Sequence, residues 1–246
     1  MKNLNVVILA AGRGSRLNKL TQYKPKTLIK LNGKSIFDHL LDNFKYFELN
    51  KITSVLGYKK NLFRKYKVNK IINKEWRKTN MVYSLFKAKN ILEKSDSIIC
   101  YSDIIFDKKI IKLLLKNTKQ DISLPYNANW KKSWKERYSK PLEDLETFKI
   151  NKNNILMEIG DKPKKYSDID GQYMGIFKIK KKSAKKMYNF YKSIRRNIRS
   201  KLSMTEFLNL LVHKKILKIS VLKSKFEWHE IDTLKDFKVT KKKITI

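Results

Sequence analysis

The run Asn5 to Ala10 is apolar and β-branched and breaks at Gly12 and Gly14, with Arg13, Ser15 and Arg16 interleaved and Lys24-Pro25-Lys26 close behind. A short, continuous apolar run bounded by glycines reads as a strand buried on both faces. It feeds a loop whose glycines let backbone N–H groups approach a ligand closely and whose cations neutralise charge. That combination suits a polyphosphate. The string is not the G-x-x-x-x-G-K-[ST] loop, because Lys26 falls far past the second glycine. Nor is it a dinucleotide fingerprint, since Gly12-x-Gly14 lacks the third glycine. Taken without its neighbours, G-x-G after a strand is also compatible with a plain tight turn.

Strand-like and helix-like patterns alternate behind this loop. Ser35 can cap a helix in which Phe37, Leu40, Leu41, Phe44 and Phe47 recur on one face. Strands are expected at Ile52 to Leu56, Val68 to Ile72 and Ser97 to Tyr101, with a helix capped by Asn80 running through Leu92. A helix from Asp107 to Lys116 and a strand from Asp121 to Tyr126 follow. The order implies parallel crossovers and an α/β domain. From 127 to 173 the segments shorten, with strands expected at Glu146 to Ile150, Ile155 to Ile159 and Tyr173 to Ile179. Helices at Ser183 to Arg199 and Met204 to His213, a strand at Ile216 to Leu222 and a helix from Leu234 complete the chain. No Gly-, Pro- or Ser-rich linker divides it, so the 246 residues are expected to form one domain.

Charge is the loudest feature of the composition, with 58 Lys and Arg against 22 Asp and Glu, a formal net charge of +36. Such a balance raises a nucleic-acid-binding protein as an alternative of a different class. Only eight of the basic residues are Arg, however, and the lysines are spread along the chain. That distribution reads as solvated faces and residue bias rather than a nucleic-acid patch, so no stable nucleic-acid partner is expected. One cysteine excludes an internal disulfide, and no apolar run reaches the roughly 18 to 20 residues of a membrane span. A soluble cytoplasmic protein is expected, without membrane insertion.

The string Leu9-Ala10-Ala11-Gly12-Arg13-Gly14-Ser15-Arg16-Leu17, followed by Pro25-Lys26, resembles the L-A-A-G-x-G-x-R and P-K signature of nucleotidyltransferases. Asn80 to Leu85, Tyr101-Ser102-Asp103, Glu158 to Pro163, Gly171 to Gly175 and Glu230-Ile231-Asp232 are similar to the phosphocholine cytidylyltransferase branch of that family. The resemblance implies a single Rossmann-like nucleotidyltransferase domain, a mostly parallel mixed sheet flanked by helices. Residues 1–126 would bind nucleotide, 127–232 the acceptor, and 233–246 would form a C-terminal helix and tail. It implies a Mg²⁺-dependent transfer of CMP from CTP to phosphocholine with release of pyrophosphate. Related enzymes act on 2-aminoethylphosphonate, other phosphonates or sugar 1-phosphates.

By the same resemblance Leu9 to Arg16 and Lys26 hold the triphosphate, Arg16 and Lys26 acting on its phosphates, and Asn80 and Ser84 lie with Ala10 and Ala11 near the base. Asp103 and Asp232 would be the metal ligands. Asp103 sits at the carboxyl end of an expected parallel strand, where α/β sheets place ligands, and a carboxylate is a hard oxygen ligand of the kind Mg²⁺ takes. Asn80 and Asp232 each carry a second reading as helix caps. A quaternary ammonium is held well by aromatic rings with a carboxylate nearby. Trp76, Trp130, Trp134, Trp228, Tyr126 and Tyr173 lie in or beside segments read as loops, with Asp144, Glu146, Glu158 and Asp161 as available carboxylates. Lys162 is the candidate for the acceptor phosphate, and Gln172 and Glu230 complete the expected acceptor set.

Overall fold

The computed structural model describes residues 4–116, 120–137 and 141–244. Its strands are Asn5–Ala10 (β1), Ile52–Leu56 (β2), Asn69–Ile72 (β3), Ser97–Tyr101 (β4), Ile104–Phe106 (β5) and Ile122–Asn127 (β6), then Phe148–Ile150 (β7), Leu156–Ile159 (β8), Gln172–Tyr173 (β9), Ile176–Ile179 (β10), Ile219–Ser224 (β11) and Trp228–Glu230 (β12). A two-residue hairpin, Lys30–Leu31 with Lys34–Ser35, stands apart from these. The longer helices are Ile36–Lys45 (α1), Met81–Lys87 (α2), Lys109–Lys116 (α3), Trp130–Arg137 (α4), Lys181–Ser193 (α5), Met204–His213 (α6) and Leu234–Lys243 (α7).

β1 pairs in parallel with β2 on one side and β4 on the other, which is why Val6 to Ala10 are buried and apolar throughout. From β2 the chain steps outward to β3, then returns across β1 to β4. β10 runs antiparallel between β4 and β6, β9 continues along the same edge of β6, and β11 pairs in parallel with its other edge. The result is an eight-stranded mixed sheet. The change of direction between β2 and β4 makes the carboxyl ends of β1 and β4 the crevice in which such sheets take ligands.

The helices cover the sheet through one-sided apolar faces. α1 buries Ile36, Phe37, Leu40, Leu41 and Phe44, and its first turn is capped by Ser35, whose Oγ accepts from Asp38 N at 3.1 Å. Phe37 is fully buried between Phe63 and Tyr66, edge-on to both, so Phe37 carries on the order of 2 to 3 kcal/mol of burial. Among the described residues no helix is long and apolar enough to cross a membrane.

Several expected boundaries move for local reasons. The expected strand Tyr173 to Ile179 divides into β9 and β10, because Gly175 turns at φ +71° against the Tyr101 ring. The expected helix Ser183 to Arg199 stops at Ser193, with a separate turn at Arg196–Arg199. α3 begins at Lys109 because the Asp107 carboxylate accepts from the Lys109 N–H at 2.8 Å and so stands outside the helix. The helix after Asn80 breaks at Ala88.

The rings expected in or beside loop-like segments differ most. Trp130 and Trp134 lie on α4, Tyr126 on β6 and Trp228 on β12, all buried, and Trp134 stacks on Trp228 with ring centroids 6.1 Å apart. Large rings contribute most when removed from water, and these four pack into the same core as the residues of the sheet.

Candidate active site

Each chemical group is placed by a strand end. The chain leaves β1 through Ala11 and turns at Gly14 (φ +77°), where a Cβ would stand 2.6 Å from Lys26 Cβ. The Lys26 N–H donates to Arg13 O at 3.1 Å, so the loop and the Pro25-Lys26 segment form one unit. Gly14→Ala combines left-handed strain of about 1 to 2 kcal/mol with that clash. It is expected to cut activity at least tenfold while lowering the melting temperature only by a few degrees. Pyrophosphate assays and thermal melts check both.

Asp103 follows β4, and the next residues pair antiparallel with the strand leading to Asp232, in the ladder of β5 with β12. The Ile231 N–H donates to Asp103 O at 2.9 Å. This short ladder brings Asp103, Glu230 and Asp232 together, with carboxylate oxygens within 4.8 Å of one another. Glu230 and Asp232 alternate on an extended strand end, a spacing that turns both side chains to one face. Sequence reading placed Glu230 with the acceptor; it also stands third in the carboxylate cluster. The cap of α7 is Thr233, whose Oγ1 accepts from Asp236 N at 3.2 Å, so Asp232 is left for the site.

Lys26 joins this cluster, its Nζ 2.7 Å from Asp103 Oδ2 and 2.5 Å from Asp232 Oδ1. Burial would push its pKa down, but the two carboxylates outweigh that and raise it above the ordinary lysine value. Arg16 Nη1 lies 3.1 Å from Asp232 Oδ2, yet its side chain is 69% exposed, so that pair adds at most about 1 kcal/mol. Asp103 Oδ1 is buried and accepts no hydrogen bond among the described residues. A buried carboxylate oxygen left without a donor, within a cluster of three carboxylates, fits a hard divalent cation such as Mg²⁺.

Two cavities meet at this cluster. The first, about 320 Å³, is lined by Leu9, Ala11, Gly12, Gly14, Ser15, Arg16 and Lys26, together with Trp76, Asn80 and Ser84. Of the expected nucleotide residues, Ala10 is buried at the end of β1, and Arg13 turns aside to donate to Thr21 O and lie over the Tyr58 ring. Asn80 caps α2, accepting from Met81 N at 2.8 Å, while also lining the cavity, so its two readings coexist. Trp76, expected near the acceptor, lines this first cavity and not the second. Thr27, Thr79, Met81 and Ser102 were not read as site residues and also line it.

The second cavity, about 390 Å³, shares Arg16, Asn80, Met81, Glu230 and Asp232 with the first. Of the expected acceptor set it is lined by Trp134, Glu146, Gln172, Tyr173 and Glu230, joined by Asp144 and Tyr101. Trp134 Nε1 donates to Asp144 Oδ2 at 2.9 Å, Thr205 Oγ1 to Glu146 Oε1 at 3.1 Å and Gln172 Nε2 to Glu146 O at 2.7 Å. Burial raises the Glu146 pKa; the Thr205 hydrogen bond opposes this, and Glu206, Asp144 and Asp161 reinforce it. Tyr126, Trp130 and Trp228 stay in the core, and Trp228 Nε1 is used up on Met174 O. Glu158 on β8 and exposed Lys162, which donates to Glu143 O, line neither cavity. Asp161 instead accepts from Asn209 Nδ2. The missed residues Ser203, Met204 and Thr205 begin α6, and only their tertiary docking could reveal them.

A glycine loop at the switch point of a parallel sheet, facing clustered carboxylates across a nucleotide-sized cavity, defines a nucleotidyltransferase. A family model described as the MobA-like NTP transferase domain matches residues 6–152. The chain is 34% identical, over 252 aligned residues, to the CTP:phosphoglutamine cytidylyltransferase of Campylobacter jejuni, covering 96% of this chain and 98% of the relative. The inositol-1-phosphate CTP transferase from T. maritima superposes with TM-score 0.76 at 17% identity, covering 99% of this chain and 98% of that one. The CTP:phosphocholine cytidylyltransferase of Streptococcus pneumoniae superposes with TM-score 0.71 at 20% identity, covering 98% of both chains. At these identities the superpositions establish the fold. The chain belongs to the MobA-like NTP transferase family.

Proposed function

We propose that this nucleotidyltransferase transfers CMP from CTP to a phosphorylated small molecule bearing a cationic nitrogen, phosphocholine first among them, and releases pyrophosphate. The observation that carries this reading is the second cavity, where Asp144 and Glu146 stand among Tyr101, Trp134 and Tyr173 beside the carboxylate cluster. A cationic nitrogen is stabilised there by carboxylates and ring faces, and its phosphate points toward the shared boundary with the nucleotide cavity. Arg16 is the one cation among the described residues lining this cavity, so it accepts a single anionic group more readily than two.

In the transfer, an acceptor phosphate oxygen attacks the α-phosphorus of CTP in line, and the bond from that phosphorus to the bridging oxygen breaks with its electron pair leaving on pyrophosphate. The attacking phosphate is already ionised, so no general base is needed. The Gly12 to Arg16 loop holds the leaving pyrophosphate, and the Lys26 ammonium stabilises charge on the transferring group. Asp103, Asp232 and Glu230 would hold Mg²⁺, which supplies Lewis-acid neutralisation of the phosphate oxygens.

Purified protein assayed for pyrophosphate release with each nucleotide triphosphate and a panel of acceptors tests the reading. Turnover is expected with CTP and phosphorylated amines, and preference for glucose 1-phosphate would overturn it. A second reading, phosphoglutamine, is favoured by the extent of similarity to the Campylobacter relative. Its α-ammonium suits Asp144 and Glu146, and the same panel separates it from phosphocholine. Because burial raises the Glu146 pKa, Glu146 loses its charge as pH falls through that raised value. The KM for the acceptor is therefore expected to rise toward acidic pH more than the KM for CTP, and Glu146→Gln to flatten the rise. A KM that does not respond to either change removes Glu146 from acceptor binding.

A further inference from the structure

Asn73 lies just past β3, fully buried, and does not itself line the nucleotide cavity. Its side chain is oriented without ambiguity, because Oδ1 accepts the Glu75 backbone N–H at 3.0 Å and a backbone N–H only donates. The amide nitrogen must face the other way, and it donates to Thr79 Oγ1 and to Ser84 Oγ, each at 3.0 Å. Both residues line the first cavity. The Thr79 hydroxyl donates its own hydrogen to Glu75 O at 2.9 Å, and Ser84 donates to Asn80 O at 3.4 Å.

A hydroxyl has one hydrogen and two lone pairs. On each of these oxygens the hydrogen is spent on a backbone carbonyl and one lone pair on Asn73, so one lone pair remains. We propose that Asn73 is a positioning residue that fixes Thr79 and Ser84 as a pair of acceptors, and that this pair selects cytosine over uracil by its exocyclic amino group. The inference rests on the cytidylyl reading and supplies its physical origin. Two oxygens that each sit 3.0 Å from one amide nitrogen are spaced to receive the two hydrogens of a second amino group from the cavity side. Cytosine presents such a group at N4, where uracil presents a carbonyl oxygen. Uracil has a single N–H flanked by two carbonyls, so at least one of the two lone pairs meets an oxygen and stays unsatisfied.

The test is calorimetric binding with Mg²⁺ and no acceptor, using CTP, UTP and the pyrimidin-2-one ribonucleoside triphosphate, which lacks the amino group. Wild type is expected to prefer CTP over both by about 100-fold or more. Ser84→Ala and Thr79→Val are each expected to weaken CTP about tenfold or more while leaving the other two nearly unchanged, and Asn73→Leu to shrink the CTP preference in the same direction. A merely structural role would weaken all three nucleotides together, and an unchanged CTP to UTP ratio in Ser84→Ala and Thr79→Val overturns the assignment. If Asn73→Leu fails to fold, those two variants still decide. Wild-type preference for CTP with unchanged ratios removes the Thr79 and Ser84 acceptor pair and with it the role of Asn73, but leaves the cytidylyl reading; wild-type preference for UTP removes the cytidylyl reading as well.

Discussion

Asp103→Ala is expected to lower turnover on the order of 10³-fold, and Asp232→Ala by a similar factor, while both proteins remain folded. Asp103 is 9% exposed at the end of β4, with Oδ1 buried and, among the described residues, without a hydrogen-bond donor. Removing it takes away the most deeply held ligand of the carboxylate cluster. The fold is spared because the contact that joins β4 to the Asp232 segment uses the backbone carbonyl of Asp103, which alanine retains. Lys26 is not stranded in either variant, since each leaves it one of its two carboxylates. Activity and stability therefore separate, and pyrophosphate release measured beside circular dichroism and thermal melts reads the difference. Full activity in either variant would refute the metal assignment.

Lys26→Met should reduce kcat/KM on the order of 10³-fold, through loss of the charge nearest the transferring phosphate. Burial opposes the charge of Lys26, but Asp103 and Asp232 hold its pKa above the ordinary lysine value. The stabilising contribution of the charge is thus fully present below the unfolded pKa of about 10.4 and is lost only as pH rises through the higher folded value. No limb of the pH–rate profile near neutrality belongs to Lys26, and the loss in Lys26→Met is expected to be uniform with pH. The variant also leaves three carboxylates without their central ammonium. Added Mg²⁺ is expected to raise its melting temperature more than that of wild type. Equal Mg²⁺ shifts together with wild-type activity would remove Lys26 from the site.

The nucleotide side of the site was largely legible because it is local. Leu9 to Arg16 and Lys26 fall within a few turns of chain, and glycine at a position with φ +77° leaves a mark that sequence shows directly. The acceptor side was legible only in part. Trp134, Glu146, Gln172, Tyr173 and Asp144 line the second cavity, but Trp130, Trp228 and Tyr126, which have the composition of an aromatic cage, pack into the core, and Tyr101 lines the cavity instead. A ring that binds a cation and a ring that fills a core are the same residue type. The direction in which a strand or helix presents it depends on what packs behind.

The sequence by itself determined the buried strand, the glycine loop behind it and the alternation that forces parallel crossovers, since each depends on residue type and short-range spacing; the two aspartates were reached through the family resemblance. Tertiary structure alone decided that Glu230 stands beside Asp103, through pairing of β5 with β12, and that Asn73 aims one amide at two hydroxyls. It also divided the charge: among the described basic residues, Lys26 is the one that the carboxylate cluster encloses, while Arg13 turns away toward Thr21 and Lys162 lies outside both cavities. Contacts between residues remote in sequence are set by how elements dock, and the backbone geometry that fixes docking is not encoded at any single position.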